Sequence, residues 1–318
     1  MKKEDFKENV SDWIKTHPTH AKVIVVAVLV VLFCIILVNC MGKDEEKSLS
    51  KQTAQQNQVA TPQAVPETIP APAPIPAPAP APAPVEILSD ITLGNGVVLK
   101  VVPVHKGSFI IGSPASEKGR NRVEAQRKIN IPDDFYIGAY EVTQAQYKAV
   151  TGQNPSHFKG DSLPVENVTW DNAVMFCEKL NAGGYAPEGW KFAMPTSEQW
   201  EYACRAGTTT PFFWGNALNG DKANCYGSAP YGTARKGTYL KKTTTVGSYD
   251  ANDWGIYDMH GNVSEWCQKT IKGKTTYEYR GGSWATPAKD CRAAARFSRK
   301  PSGAHQTIGF RIVLIKAE

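Results

Sequence analysis

Proline occupies every even position from Pro70 to Pro84, with alanine or isoleucine in between. A proline ring fixes φ and removes the amide donor, so this stretch favours extended polyproline II over helix or sheet. At about 3.1 Å per residue it spans roughly 45 Å. We therefore predict a semi-rigid stalk, with a proline-rich ligand for a partner protein as the alternative. A folded core has to come from another part of the chain.

The segment before the stalk has the character of a membrane anchor. Val23–Val38 is uninterrupted apolar sequence, and no charged residue lies between Lys22 and Lys43. At about 1.5 Å per residue, roughly 20 uncharged residues cross about 30 Å of hydrocarbon. Lysines before the span favour an N-terminus inside the cell. Acylation at Cys40, as in a bacterial lipoprotein, is the alternative, although Asn39 fits the cleavage box poorly.

These observations divide the chain into four parts and predict its location. We expect a cytoplasmic leader over 1–22, a transmembrane anchor over 23–42, an Ala/Pro-rich stalk over 43–86 and a folded domain over 87–318. The protein would be a single-pass protein of a bacterial inner membrane, with its C-terminal domain in the periplasm or outside. The net charge of +6 does not indicate nucleic-acid binding, because no helix is lined with basic residues.

The folded domain is predicted to be α+β with few helices and a high loop content. Val97–Val104 and Gly107–Ser113 are rich in β-branched and apolar residues and predict strands. Helices are predicted over Gln144–Val150, over Asp171–Leu180, and after Thr196, which can act as an N-cap. From Gly207 onward, Gly, Asn and Thr predict long irregular coil with short strands.

Three glycine-containing blocks, Gly255–Trp266, Arg280–Trp284 and Gly309–Arg311, occur in this order near the C-terminus. They resemble the formylglycine-generating-enzyme family, the sulfatase-modifying-factor domain, in its shorter bacterial type. Further blocks extend the resemblance to about residues 100–315: Gly107–Gly112, Glu141–Tyr147, Pro164–Trp170 and Pro195–Gly207. The resemblance implies the C-type-lectin-like fold variant of that family.

The same resemblance bears on catalysis. The family's oxidase reaction uses two thiolates to hold copper(I), the soft ion that thiolates prefer. Counted from Gly281–Trp284, the first thiol position falls at Thr286, whereas Cys291 lies at the second spacing. Ser283 matches a family active-site serine, so Cys291 and Ser283 would be catalytic only in an oxidase. Copper is not expected, because one thiolate cannot replace the pair. Ser264 also stands where the family usually has a tryptophan that lines the catalytic cleft, which argues further against an oxidase.

The resemblance also implies a structural calcium ion. Asp258, the carbonyls of Gly261 and Val263, and Glu265 match the family's ligands, and calcium takes six to eight oxygens of this kind. In the alternative, Asp258 and Glu265 only cap turns and pair with arginines, for which the candidates are Arg280, Arg292, Arg296 and Arg311. A second family calcium site would begin at Asn224 and Cys225, but no acidic counterpart stands near Thr238–Leu240.

Five of the seven cysteines lie in the folded domain. Cys204 stands where relatives carry a structural disulfide cysteine, and the partner position lies close to Cys291. The resemblance therefore implies a Cys204–Cys291 disulfide, which an extracytoplasmic location permits. A copper ligand and a free thiol are the alternative roles of Cys291.

Two functional hypotheses follow. In the first, the domain is a non-catalytic, membrane-anchored binding or assembly module that takes a peptide, glycan or protein partner outside the membrane. In the second, it is an oxidase that converts a protein cysteine, in a sulfatase-type target, to formylglycine. The missing first thiol and Ser264 favour the first hypothesis.

Overall fold

The computed structural model describes residues 90–271 and 274–317. The predicted leader, anchor and stalk lie outside these residues. Within the described part of the chain, none of the helices combines the length and the apolar character needed to cross a bilayer.

The described part of the chain is built from short strands and three helices. The strands are β1 (Asp90–Thr92), β2 (Val98–Val104), β3 (Gly107–Ile111), β4 (Arg127–Ile131), β5 (Phe135–Gly138), β6 (Trp190–Ala193), β7 (Ser264–Ile271), β8 (Lys274–Arg280), β9 (Arg296–Ser298), β10 (Ile308–Gly309) and β11 (Val313–Lys316). The helices are α1 (Gln144–Thr151), α2 (Trp170–Ala182) and α3 (Ser197–Arg205), with 3₁₀ turns at Arg122–Glu124 and Ala288–Asp290.

The strands form two larger sheets and one hairpin pair. One sheet has the order β1-β2-β5-β11-β6, and the second has the order β10-β7-β8-β9. All pairs in the first sheet are antiparallel, so β11, the last strand, lies in its interior between β5 and β6. In the second sheet, β10 runs parallel to β7. β3 pairs only with β4.

A threonine caps each helix. The side chains of Thr143, Thr169 and Thr196 accept from the amide three residues on, and a Gln or Asn at that position reaches back to the cap. Such reciprocal bonds satisfy donors that a helix start leaves open. The three predicted helices are therefore confirmed. α2 begins one residue earlier than predicted, because Thr169 supplies its N-cap, and it continues to Ala182.

The core is divided among three apolar clusters. The largest packs α1 and α2 against the first sheet, around Phe176, Leu180 and Phe310. The second surrounds Trp200 of α3. The third is small, and it lies beneath the irregular part of the domain, with Phe212, Leu218, Cys225 and Cys291 among its members.

Buried arginine–carboxylate pairs tie these parts together. Glu201 on α3 accepts from Arg280 and from Arg205, each at 2.9 Å, and its carboxylate also accepts from the Gly112 amide at 2.8 Å. Removing one partner of such a pair leaves an uncompensated buried charge, which typically costs about 3–5 kcal/mol. The pairs thus fix the orientation of α3 relative to β3 and β8.

The chain between Gly207 and Val263 has little regular secondary structure. Its backbone pairing is limited to isolated bridges, such as Leu218 with Tyr231. The predicted irregular coil is confirmed. This part of the chain meets the Gly281–Trp284 turn, where the residues singled out by their motifs come together.

Candidate functional site

A tight turn at Gly281–Trp284 forms the centre of the candidate site. Gly281 and Gly282 have φ values of +82° and +73°. A Cβ on Gly282 would lie 2.5 Å from the Cys291 sulfur, so glycine is required there by space as well as by conformation. The Ser283 and Thr286 hydroxyls lie 2.8 Å apart and hydrogen-bond each other. Both hydroxyls are therefore used within the turn.

A row of aromatic rings passes through this turn, with exposed rings at its two ends and the buried Trp284 in the middle. We call Tyr226, Tyr239, Trp284, Phe158 and His157 the aromatic surface. The centroids of consecutive rings lie 4.7, 6.4, 5.5 and 4.8 Å apart. Tyr226 and His157 are exposed, and the indole of Trp284 is held by a bond from Nε1 to the Gln306 carbonyl at 3.3 Å.

The edge of the aromatic surface beside Tyr239 is also exposed. Leu240 beside Tyr239 is 38% exposed, and the Lys241 ammonium lies 6.0 Å from the centroid of the Tyr239 ring. Ring faces with a nearby cation suit a ligand that has apolar faces and polar edges, such as a sugar or an aromatic peptide side chain.

Glu166 supports the aromatic surface from inside. One carboxylate oxygen accepts from the Phe158 amide at 2.8 Å, and the other is buried without a hydrogen-bond partner. Burial raises the pKa of Glu166 to about 7, although the hydrogen bonds from Phe158 and His157 oppose the shift. The protonation state of Glu166 is therefore linked to the backbone that presents His157 and Phe158.

A second group of carboxylates surrounds Arg311. The guanidinium donates from Nε to Glu265 Oε2 at 2.6 Å and from Nη2 to Oε1 at 2.7 Å, and Trp200 Nε1 also donates to Oε2 at 2.7 Å. Asp258 accepts from the Gly247 amide at 2.5 Å. Burial raises the pKa of Asp258 to about 6.

Glu141 completes this group. Its carboxylate accepts from Asn262 Nδ2 at 3.1 Å. Burial, and then the neighbouring Asp258, raise the pKa of Glu141 well above its ordinary value. Three carboxylates thus lie near one guanidinium, Arg311, and burial together with their mutual repulsion favours uptake of a proton.

The cysteines lie on both sides of a buried histidine. His260 donates from Nδ1 to the Cys291 carbonyl at 2.7 Å, while its Nε2 lies 3.7 Å from the Cys204 sulfur. Burial lowers the pKa of His260 to about 4, so the ring is neutral. The Cys291 thiol itself contacts the Cys225 thiol, and all five described cysteines are free and buried.

Comparisons with known proteins identify the family. Residues 95–316 match the family model described as the sulfatase-modifying factor enzyme 1-like domain. The chain belongs to this family. The predicted resemblance is therefore confirmed.

Sequence relatives in the family carry different names. The chain is 31% identical over 226 residues to chaperone protein LppX of Paenibacillus barcinonensis, covering 58% of this chain and 81% of that protein. It is 29% identical over 159 residues to the inactive C-alpha-formylglycine-generating enzyme 2 of Mus musculus, covering 47% of this chain and 48% of that protein. It is 25% identical to the Mus musculus formylglycine-generating enzyme, covering 67% and 74%.

Solved structures share the fold. PvdO from Pseudomonas aeruginosa superposes with a TM-score of 0.60 at 24% identity, covering 72% of this chain and 99% of that one. Treponema denticola variable protein 1 superposes with a TM-score of 0.59 at 23% identity, covering 71% of this chain and 98% of that one. The mixed α+β class with few helices is confirmed, and these neighbours have the C-type-lectin-like fold of the family. At these identities the likeness extends to the fold alone.

The residues of this family member do not fit the copper(I) pair. Thr286, at the first thiol position, hydrogen-bonds Ser283, and Cys291 is 0% exposed. Contact with the Cys225 thiol, together with burial, raises the pKa of Cys291 well above its ordinary value. A thiolate is the form that binds the metal, and this environment disfavours it.

The calcium ligands predicted from the family lie close in sequence, but Glu265 has other partners. Both of its oxygens bond Arg311, which is the pairing that the alternative interpretation names. Asp258 and its neighbour Glu141 are the two carboxyl groups of this cluster whose pKa values are raised. Calcium at Asp258, Gly261, Val263 and Glu265 stays a prediction, as does the Cys204–Cys291 disulfide.

Several residues of the site were not predicted from the sequence. Glu141 and Glu166 lie inside the quoted blocks, but no role was assigned to them, because their burial becomes visible only in the fold. Asn262 has a φ of +55°, and its side chain joins Glu141 to the irregular coil. Tyr226 and Tyr239 come from the coil, where neither spacing nor periodicity marks them.

Proposed function

We propose that this domain is a non-catalytic binding module that docks a peptide, glycan or protein partner at the aromatic surface. The anchor over 23–42 and the stalk would hold it outside a bacterial inner membrane. The observation that carries the proposal is the row of rings from Tyr226 to His157, which begins at the surface and runs beside a turn whose hydroxyls are already paired.

The chemistry of the turn supports binding over oxidation. An oxidase of this family needs two accessible thiolates, and the turn offers Thr286 and a buried Cys291 with a raised pKa. The relatives named an inactive formylglycine-generating enzyme and a chaperone protein are compatible with a module that binds without catalysis.

The first test is binding of the full-length protein in detergent to a glycan array and to a peptide array. Removing two rings from a recognition surface is expected to weaken a true ligand by roughly tenfold or more. We expect that loss for Tyr226→Ala combined with Tyr239→Ala. Phe297→Ala, which removes a half-buried ring on β9, is the matched control and should bind like the unchanged protein. Equal binding by all three proteins would contradict the proposal.

The oxidase alternative is tested directly. A synthetic peptide with the Cys-x-Pro-x-Arg pattern is incubated with the protein, copper and oxygen, and its mass is followed. We expect an unchanged peptide. Copper-dependent formylglycine that disappears in Cys291→Ala would overturn the proposed function.

A further inference from the structure

Cys225 and Cys291 lie side by side in the small third cluster of the core. Their exposures are 1% and 0%, and the residues around them include Phe212, Leu218 and Ala288. The Cys225 side chain is the first cause that raises the pKa of Cys291 well above its ordinary value, followed by burial. Cys291 Sγ also faces two carbonyls of its own loop, Thr286 O at 3.8 Å and Pro287 O at 3.7 Å.

Backbone hydrogen bonds bring the two cysteines together. The amide that follows Cys225, that of Tyr226, donates to the Thr286 carbonyl at 2.9 Å, and Tyr226 bridges Pro287 in parallel. A second bond runs from the Ala288 amide to the Ala229 carbonyl at 3.1 Å. The pairing of these two chain segments therefore places the two cysteines in one small apolar cluster.

The other described cysteines have different surroundings. Cys204 faces His260 and the Met259 carbonyl. Cys267 lies on β7, with its thiol 3.7 Å from the Glu265 carbonyl. Cys177 packs in the main core on α2. Cys225 is thus the described cysteine whose thiol is in contact with Cys291.

We propose that Cys225 and Cys291 form a disulfide under oxidising conditions, linking the coil that carries Tyr226 to the turn that carries Trp284. The oxidant is a disulfide of the glutathione type. The thiolate of one cysteine attacks a sulfur of this disulfide and releases one thiol. The second cysteine then attacks the mixed disulfide and releases the other thiol. Two protein thiols are oxidised, one small disulfide is reduced to two thiols, and the cysteine protons pass to the released thiolates.

The surroundings of the pair determine when this step occurs. Exchange requires a thiolate that an oxidant can reach, and both sulfurs are covered in the folded domain. We therefore expect the bond to form during folding or local opening, and only slowly in the closed fold. A location outside the cytoplasm supplies the oxidising conditions. The inference is independent of the proposed binding function.

The deciding experiment maps the bond in the full-length protein. The reduced, unfolded chain is refolded with reduced and oxidised glutathione. The product is then denatured again without reductant so that all free thiols can be alkylated, and it is digested and analysed by mass spectrometry. We expect one peptide pair that joins Cys225 to Cys291, while Cys177, Cys204 and Cys267 carry the label. A Cys204–Cys291 pair, or a label on both Cys225 and Cys291, would overturn the proposal.

Two variants give a second measurement. A disulfide of this loop length should raise the melting temperature of the oxidised over the reduced protein by roughly 5–10 °C. Cys177→Ala, which removes an equally buried thiol, should keep this difference, and Cys225→Ala should abolish it. A difference that persists in Cys225→Ala would count against the pair, and the peptide map of the unchanged protein decides the matter even if that variant fails to fold.

Discussion

Glu166 is fully buried, yet it hydrogen-bonds through only one of its two carboxylate oxygens. Its pKa rises from the ordinary 4.5 to about 7 because burial disfavours the charge. Below pH 4.5 both the folded and the unfolded chain hold the proton. Between pH 4.5 and about 7 only the folded chain keeps it, so this residue makes the fold less stable as the pH rises through that window.

The prediction is that Glu166→Gln removes this dependence. Glutamine resembles the protonated acid, so the stability of the variant relative to the unchanged protein should rise between pH 4.5 and 7. The slope should be at most about 1.4 kcal/mol per pH unit. Urea unfolding of both proteins at a series of pH values measures this difference in stability. Glu178→Gln, at an exposed glutamate of α2, is the control and should run parallel to the unchanged protein, whereas a parallel Glu166→Gln curve would refute the assignment.

The carboxylates around Arg311 provide a test for calcium. If the family's ion binds at Asp258, Gly261, Val263 and Glu265, calcium at about 100 times its Kd should stabilise the fold by about 2.7 kcal/mol, and EDTA should reverse this. Asp258→Asn should lose the effect, and Asp171→Asn, at an exposed residue of α2, should retain it. Equal melting temperatures in calcium and EDTA would show that Arg311 and protons balance the charge instead.

At the scale of secondary-structure elements, the turn at Gly261 joins two loops at very close range. Its φ is +91°, and a Cβ there would lie 2.3 Å from the Asn224 carbonyl oxygen. The next amide, that of Asn262, donates to this same carbonyl at 2.8 Å. The turn therefore needs glycine both for its backbone conformation and for the space beside it.

A matched pair of variants separates the two requirements. Gly96 also has a positive φ, +74°, but nothing lies within 4 Å of its added Cβ. We expect Gly96→Ala to cost only the conformational strain, about 1–2 kcal/mol. Gly261→Ala should cost clearly more, because the carbonyl has to move as well. Urea unfolding compares them, and equal losses would contradict the steric argument.

The elements that could be predicted from the sequence are those that local chemistry determines. Thr143 and Thr196 cap α1 and α3 through side chains that act within one helical turn. The β-branched run at Val98–Val104 forms β2 as expected. Pro164–Trp170 is extended chain: Pro164 forms an isolated bridge with Thr143, and the Asn167 amide donates to the His305 carbonyl at 3.0 Å.

The candidate site was harder to predict, because its contacts join distant residues. The family blocks located the turn and the family residues around it. Glu201 binds Arg280, which lies 79 positions later, and Asn262 binds Glu141, which lies 121 positions earlier. The contact between Cys225 and Cys291 likewise depends on two coil segments without any periodic pattern. Such pairs become visible only when the fold is known.

At the scale of the whole molecule, the folded family domain and the predicted membrane anchor and stalk are encoded by separate parts of the sequence. The glycine-containing blocks identify the domain over 95–316. The apolar segment and the proline alternation concern residues outside the described part, and the anchor and the stalk remain predictions. A binding domain on a spacer of roughly 45 Å would reach partners near, but not on, the bilayer surface.

The positions of β1 and β11 determine how the domain would respond to a pulling force. β1 is an edge strand joined to β2 by a hairpin, so a load at Asp90 would open its three residue pairs one after another. β11 is bonded on both sides, and a load there would have to break two rows of bonds. Tension applied at Asp90 would therefore peel β1 first. That would release roughly 10 Å of chain and expose Ile91, the β1 residue that belongs to the main core.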